Sequence, residues 1–162
     1  MRTNNPSSPK GIGITMSRNT VEILLVEDNQ TDAELVREAL SSWRSPSHLS
    51  VVEDGEEALL YLKQQNGFTE STAPRLIFLD LNLPKKDGME VLREIKNDER
   101  LSSIPVIVLT TSDRENDVQA AYRLHANCYL TKPLEIDEFI EKVKAVEEFW
   151  VRCARLPGRK PR

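Results

Sequence analysis

Four short segments of the sequence end an apolar run with groups suited to handling a phosphoryl group beside a metal ion. Glu27 and Asp28 follow the first run, Asp80 and Asn82 another, Thr110 and Thr111 a third, and Thr131 and Lys132 a fourth. Three carboxylates gathered in one crevice repel and raise one another's pKa unless a cation joins them. Oxygen-only ligands point to magnesium, whose small octahedral shell keeps several waters and accommodates a few carboxylates plus a phosphoryl oxygen. Lys132 can neutralise a second phosphoryl oxygen and the Thr110 hydroxyl can donate to a third. The set suits phosphoryl transfer to a carboxylate. Taken singly, each residue also has a plain structural reading. Glu27 and Asp28 suit the cap of a helix starting near Asp32, Asp80 suits turn chemistry with Leu83-Pro84 and Asp87-Gly88, Thr110 suits an N-cap, and Lys132 suits a solvated charge. Their joint placement at strand ends is what favours a site.

The elements that must position them follow from periodicity. From Val21 onward a short apolar run followed by an amphipathic stretch recurs five times, the pattern of a parallel sheet covered by helices on both faces. The runs at residues 21–26, 49–52, 76–79, 106–109 and 128–130 are rich in Val, Ile and Leu, as doubly covered strands are. Helical stripes lie between them: Leu35, Val36, Ala39 and Leu40; Ala58, Leu59 and Leu62; Val91, Leu92 and Ile95; Val118, Ala121 and Tyr122. The last and longest helix is expected over residues 134–151, with Phe139, Val143, Val146 and Trp150 on its core side. Residues 65–75 form a polar loop. In an open parallel sheet, ligands bind outside the carboxyl ends of the strands, where these polar residues fall.

At 162 residues the chain has the size of one domain. Residues 1–19 read as a disordered leader, 20–151 as the folded domain, and 152–162 as a flexible basic tail. With 39% hydrophobic and 30% charged residues and a net charge of −4, no broad basic field for nucleic acid exists. Arg152, Arg155, Arg159, Lys160 and Arg162 lack a folded reading element, so DNA binding is not expected. No apolar stretch is long enough to span a bilayer and no signal-peptide core precedes the domain, which predicts a cytoplasmic protein without a membrane partner. Cys128 and Cys153 with His48 and His125 are too few and scattered for a zinc site or disulfide. Gly11-Ile12-Gly13 precedes any strand and lacks the third glycine of a dinucleotide fingerprint.

The segments Ile23-Leu24-Leu25-Val26-Glu27-Asp28-Asn29, Leu79-Asp80-Leu81-Asn82-Leu83-Pro84 with Asp87-Gly88, Pro105-Val106-Ile107-Val108-Leu109-Thr110 and Tyr129-Leu130-Thr131-Lys132-Pro133 resemble, in order, the receiver domain of two-component response regulators. That resemblance implies a flavodoxin-like α/β sandwich of five parallel strands in order 2-1-3-4-5. It implies Asp80 as phosphoacceptor, with magnesium held by Asp28, Asp80, the Asn82 backbone carbonyl and, through water, Glu27. Lys132 and Thr110 would bind the phosphoryl group, Tyr129 would be a switch aromatic moving with Thr110, and a cis peptide would precede Pro133. Such a regulator takes its phosphoryl group from a sensor histidine kinase, catalyses only its own phosphorylation and dephosphorylation, and sometimes passes the group to a histidine phosphotransfer protein. Leu109-Thr110-Thr111-Ser112, Asn127-Cys128-Tyr129 and Glu148-Phe149-Trp150 are similar to the small regulators paired with phytochrome-type sensor kinases. Phe149 and Trp150 cannot share one helix face, which makes homodimerisation through the last helix an expectation. Two other functions compete. Asp-nucleophile phosphatases resemble Asp-x-Asp, but Asn82 replaces the second acid and the proton donor for turnover is missing. A scaffold that is never phosphorylated is opposed by the intact acidic pair with Asp80, Thr110 and Lys132.

Overall fold

The computed structural model describes residues 19–158, so the expected leader up to residue 18 and the end of the tail lie outside the described residues. In chain order the elements are β1 (Val21–Val26), α1 (Gln30–Ser41), β2 (Ser47–Val52), α2 (Gly55–Leu62), β3 (Leu76–Leu79), α3 (Gly88–Asn97), β4 (Val106–Thr110), α4 (Glu115–Arg123), β5 (Cys128–Thr131) and α5 (Ile136–Val146). The strands form one parallel sheet in the order β2-β1-β3-β4-β5, the expected topology. Because side chains alternate across a strand, each central strand feeds two cores. Leu24, Val26, Ile77, Leu79, Val106 and Val108 pack on one face with Ala58, Leu62, Val91, Leu92, Ile95 and Ala121 from α2, α3 and α4. Ile23, Leu25, Leu76, Phe78, Ile107 and Leu109 pack on the other with Val36, Ala39, Phe139 and Val143 from α1 and α5.

The register places chemistry at one edge. Val26 pairs with Leu79 and Thr110 with Thr131, so the residues that follow these strands emerge side by side. Backbone bonds carry the ladder one step further: the Asp80 N–H donates to the Val26 carbonyl at 3.1 Å and the Lys132 N–H to the Thr110 carbonyl at 2.7 Å. Short polar caps then start the helices. Asn29, Asp54 and Asp87 each accept a backbone N–H in the first turn of α1, α2 and α3. The cap of α1 is therefore Asn29, which leaves Glu27 and Asp28 to other work.

Several expectations are corrected. β2 begins at Ser47 rather than residue 49, because an edge strand with a solvated face admits Ser47 and His48. Tyr122 is 48% exposed and only Ala121 is buried along α4, so that helix rests on the core by a narrow strip. Leu134 is fully exposed and α5 starts at Ile136. The Lys132–Pro133 bond is not cis: there is no cis peptide among the described residues. Trans is the ordinary isomer even before proline, favoured by about 0.5–1 kcal/mol. Beyond α5 the chain continues as a π-helical segment, Glu147–Cys153, and Leu156 is buried against the same core as Val21 and Val146. Ordered packing thus passes the expected border at residue 151.

Gly88 shows how closely α3 abuts the site. A Cβ there would lie 2.2 Å from the Asp80 carbonyl oxygen and 2.5 Å from the Leu81 Cα. The Gly88 N–H meanwhile donates to the Leu81 carbonyl at 3.0 Å. Gly88→Ala forces backbone rather than a flexible side chain to move, and is expected to lower stability by about 2 kcal/mol or more in urea titration. A variant as stable as the parent would show that α3 can stand off from β3.

Candidate functional site

Glu27 and Asp28 come from the end of β1 and Asp80 from the end of β3. One oxygen from each can be chosen so that all three lie within 4.8 Å of one another. Glu27 and Asp80 are only 3% and 6% exposed, whereas Asp28 is open to solvent. The backbone shapes both buried groups: the Asn29 N–H donates to Glu27 Oε1 at 3.0 Å, and the Asn82 N–H donates to Asp80 Oδ1 at 3.0 Å. Asn82 itself is exposed on the loop that follows Asp80.

Lys132 enters from β5 and its ammonium makes three ion pairs. Nζ donates to Glu27 Oε2 at 2.6 Å, to Asp32 Oδ2 at 2.9 Å and to Asp80 Oδ2 at 3.0 Å. Its side chain is 6% exposed. Burial alone would push the ammonium toward its neutral form, but the hydrogen bonds to Glu27 and Asp32 and the charge of Asp80 outweigh it and hold Lys132 above the usual lysine value. Burial pushes Glu27 up to about 7, aided by the charge of Asp80 and opposed by Lys132. Three carboxylates, from Glu27, Asp32 and Asp80, thus share one ammonium, and Asp28 lies beside two of them. The negative charge left over and the all-oxygen donor set fit a hard divalent cation at Glu27, Asp28 and Asp80.

Asp32 was not anticipated as part of this site. An acid in the first turn of a helix has an ordinary role beside the helix dipole, and its link to Lys132 spans 100 positions in sequence. Thr110, expected to bind the phosphoryl group, is fully buried at the end of β4, and its Oγ1 accepts the Ser112 N–H at 3.5 Å. Tyr129 does not meet Thr110 through any described hydrogen bond. Its hydroxyl donates to the Ser112 carbonyl at 2.8 Å, and its backbone N–H donates to the Tyr122 hydroxyl at 3.2 Å. Ser112, another residue with no sequence-based assignment, is therefore the bridge between them. Its own hydroxyl donates to Asp117, which also pairs with Arg114 at 3.0 Å.

The sequence of residues 23–144 matches the model of the response regulator receiver domain. Over 136 residues, 84% of this chain and 92% of the relative, it is 49% identical to the response regulator Rcp1 of Synechocystis sp.. Among solved structures, the Mn(2+)-bound form of Rcp1 superposes with a TM-score of 0.81 at 48% identity, covering 85% of this chain and 99% of that one. The phosphorylated cyanobacterial phytochrome response regulator RcpA gives 0.83 at 48% identity, covering 86% and 99%.

Glu27 carries a consequence for pH. Its folded pKa of about 7 lies above the ordinary 4.5, so its contribution to stability is fully present below pH 4.5 and is lost as pH rises through about 7. In EDTA, the urea midpoint is expected to fall across that window, and Glu27→Gln to flatten the fall. An equal fall in the variant would place its origin elsewhere.

Proposed function

Because this chain belongs to the response regulator receiver domain family, we propose that Asp80 is its phosphoacceptor in a two-component phosphorelay. The observation that carries this reading is the buried Asp80 carboxylate, held by the Asn82 N–H and the Lys132 ammonium beside Glu27 and Asp28. An Asp80 oxygen attacks the phosphorus of the donor's phosphohistidine. The new O–P bond forms as the P–N bond breaks, and the electron pair leaves with the imidazole nitrogen. Magnesium, when bound by Asp28, Asp80, the Asn82 carbonyl and, through water, Glu27, supplies positive charge for the transferring oxygens. Lys132 offers an N–H to one phosphoryl oxygen, and the Thr110 hydroxyl offers a second donor. Hydrolysis of the acyl phosphate by water resets the site, so the chain acts chemically on itself alone.

A Thr110 hydroxyl that donates to a phosphoryl oxygen can still accept the Ser112 N–H, so a movement of Thr110 toward that oxygen would pull on Ser112. Ser112 also holds the Tyr129 hydroxyl, which gives the switch a route from the site to the exposed strip of α4 and β5. The proposed donor is a sensor histidine kinase of phytochrome type, supported by the likeness to RcpA. A histidine phosphotransfer protein is the candidate recipient of the group from Asp80. A cytoplasmic location accords with the finding that no helix among the described residues is long and apolar enough to cross a membrane. Phe149, 55% exposed and set edge-on to Trp150 with ring centroids 5.3 Å apart, supports a homodimer through the last helix.

Incubation with acetyl phosphate and magnesium is expected to add one phosphoryl group by intact mass, and Asp80→Asn or EDTA to abolish the gain. Folded protein that gains none would defeat the phosphoacceptor reading. For the dimer, Phe149→Ser is expected to shift the sedimentation mass from two chains toward one at micromolar concentration. A parent that is monomeric with and without phosphorylation would remove that proposal.

A further inference from the structure

We propose that Asp32 is a positioning residue that parks Lys132 away from the phosphoryl group and so sets the rate at which Asp80 is phosphorylated; this rests on Asp80 being the phosphoacceptor. A lysine ammonium has three N–H donors and no more. Here all three are taken, by Glu27 at 2.6 Å, Asp32 at 2.9 Å and Asp80 at 3.0 Å. An incoming phosphoryl oxygen can be served only if one of these bonds opens. Glu27 and Asp80 belong to the group whose oxygens converge on a cation position, and Asp32 does not. Asp32 is thus the carboxylate whose remaining task at the site is to hold the ammonium.

Its setting suits that task. Asp32 sits in the first turn of α1, where its own N–H is tied to the Asn29 side chain at 3.0 Å. Its side chain is 31% exposed, against 2% for Glu27 and 8% for Asp80. Water can solvate an Asp32 carboxylate that has let go, whereas Glu27 and Asp80 have little access to such compensation. The Asp32 pair is therefore the one that opens at least cost, and the strength of that single bond governs how readily Lys132 turns to the phosphoryl oxygen. No atom of Asp32 needs to touch the donor or the phosphorus.

The experiment follows phosphorylation of the full chain by acetyl phosphate at saturating magnesium, using phosphate-affinity electrophoresis, and separates the limiting rate from the half-saturating donor concentration. Asp32→Asn keeps the side-chain shape and removes the charge. It is expected to raise the limiting rate roughly two- to five-fold, the size expected for loss of one partly exposed ion pair, with little change in half-saturation. Asp32→Glu, which restores a carboxylate, is expected to return the rate toward that of the parent. An unchanged or lower limiting rate in a folded Asp32→Asn protein would overturn the proposal. So would an effect confined to half-saturation and lost in high salt, because that marks general attraction of the anionic donor. Absence of phosphorylation in the parent would instead overturn the role of Asp80.

Discussion

Carboxylates this close together, with Glu27 and Asp80 shielded from water, repel one another, and the Lys132 ammonium that reaches them from β5 offsets that repulsion. That one ammonium ties β1, α1, β3 and β5 together at the edge of the sheet. It also leaves the edge electrically incomplete, since three carboxylates share that single cation and Asp28 adds a fourth acid beside them. A charge balance of this kind responds to whatever adds charge of either sign, positive from a divalent ion or negative from a transferred phosphoryl group. The sensitivity of the site is therefore a property of its charge count as much as of any moving part.

The scaffold makes this arrangement possible at modest cost. Two apolar cores, one on each face of the sheet, hold the central strands rigidly in register. The charged groups can then crowd at the carboxyl ends, where the strands stop and the backbone supplies N–H donors from Asn29 and Asn82. The glycine at position 88 belongs to the same design, because α3 must begin in contact with the backbone of Asp80. Burial fades toward the β5 edge, where all four strand residues are only half-buried and α4 contributes one buried residue. That edge also carries the Ser112, Tyr129 and Tyr122 contacts.

The parts of this architecture legible in the sequence were those with a local signature. Apart from Glu22, the runs at β1, β3 and β4 are apolar on both alternating faces up to their last residues, so their position and their polar ends could be read directly. The start of β2 could not, because Ser47 and His48 look like a loop until an edge pairing with Val21 and Glu22 explains them. Tyr122 fits a helical stripe by spacing, yet the depth of contact of a short helix is a tertiary matter. Glu27, Asp28, Asp80 and Lys132 were identifiable as a set because each ends a strand. Asp32 begins no strand and ends none, and its role appears only when Lys132 is seen to arrive beside α1. The π-helical winding after Val146 likewise has no signature in the spacing of apolar residues.

Leu156 gives the molecule a polarity useful beyond its chemistry. It closes the core beside Val21, at the end of the sheet where β1 begins, while Asp80 and Lys132 lie where the strands finish. A fluorescent reporter or second module fused after this residue would hang from the pole remote from the acidic edge, leaving that edge open to large partners. Trimming the gene at codon 151 would have the opposite virtue and vice: a shorter chain, with an apolar socket uncovered beside the first strand.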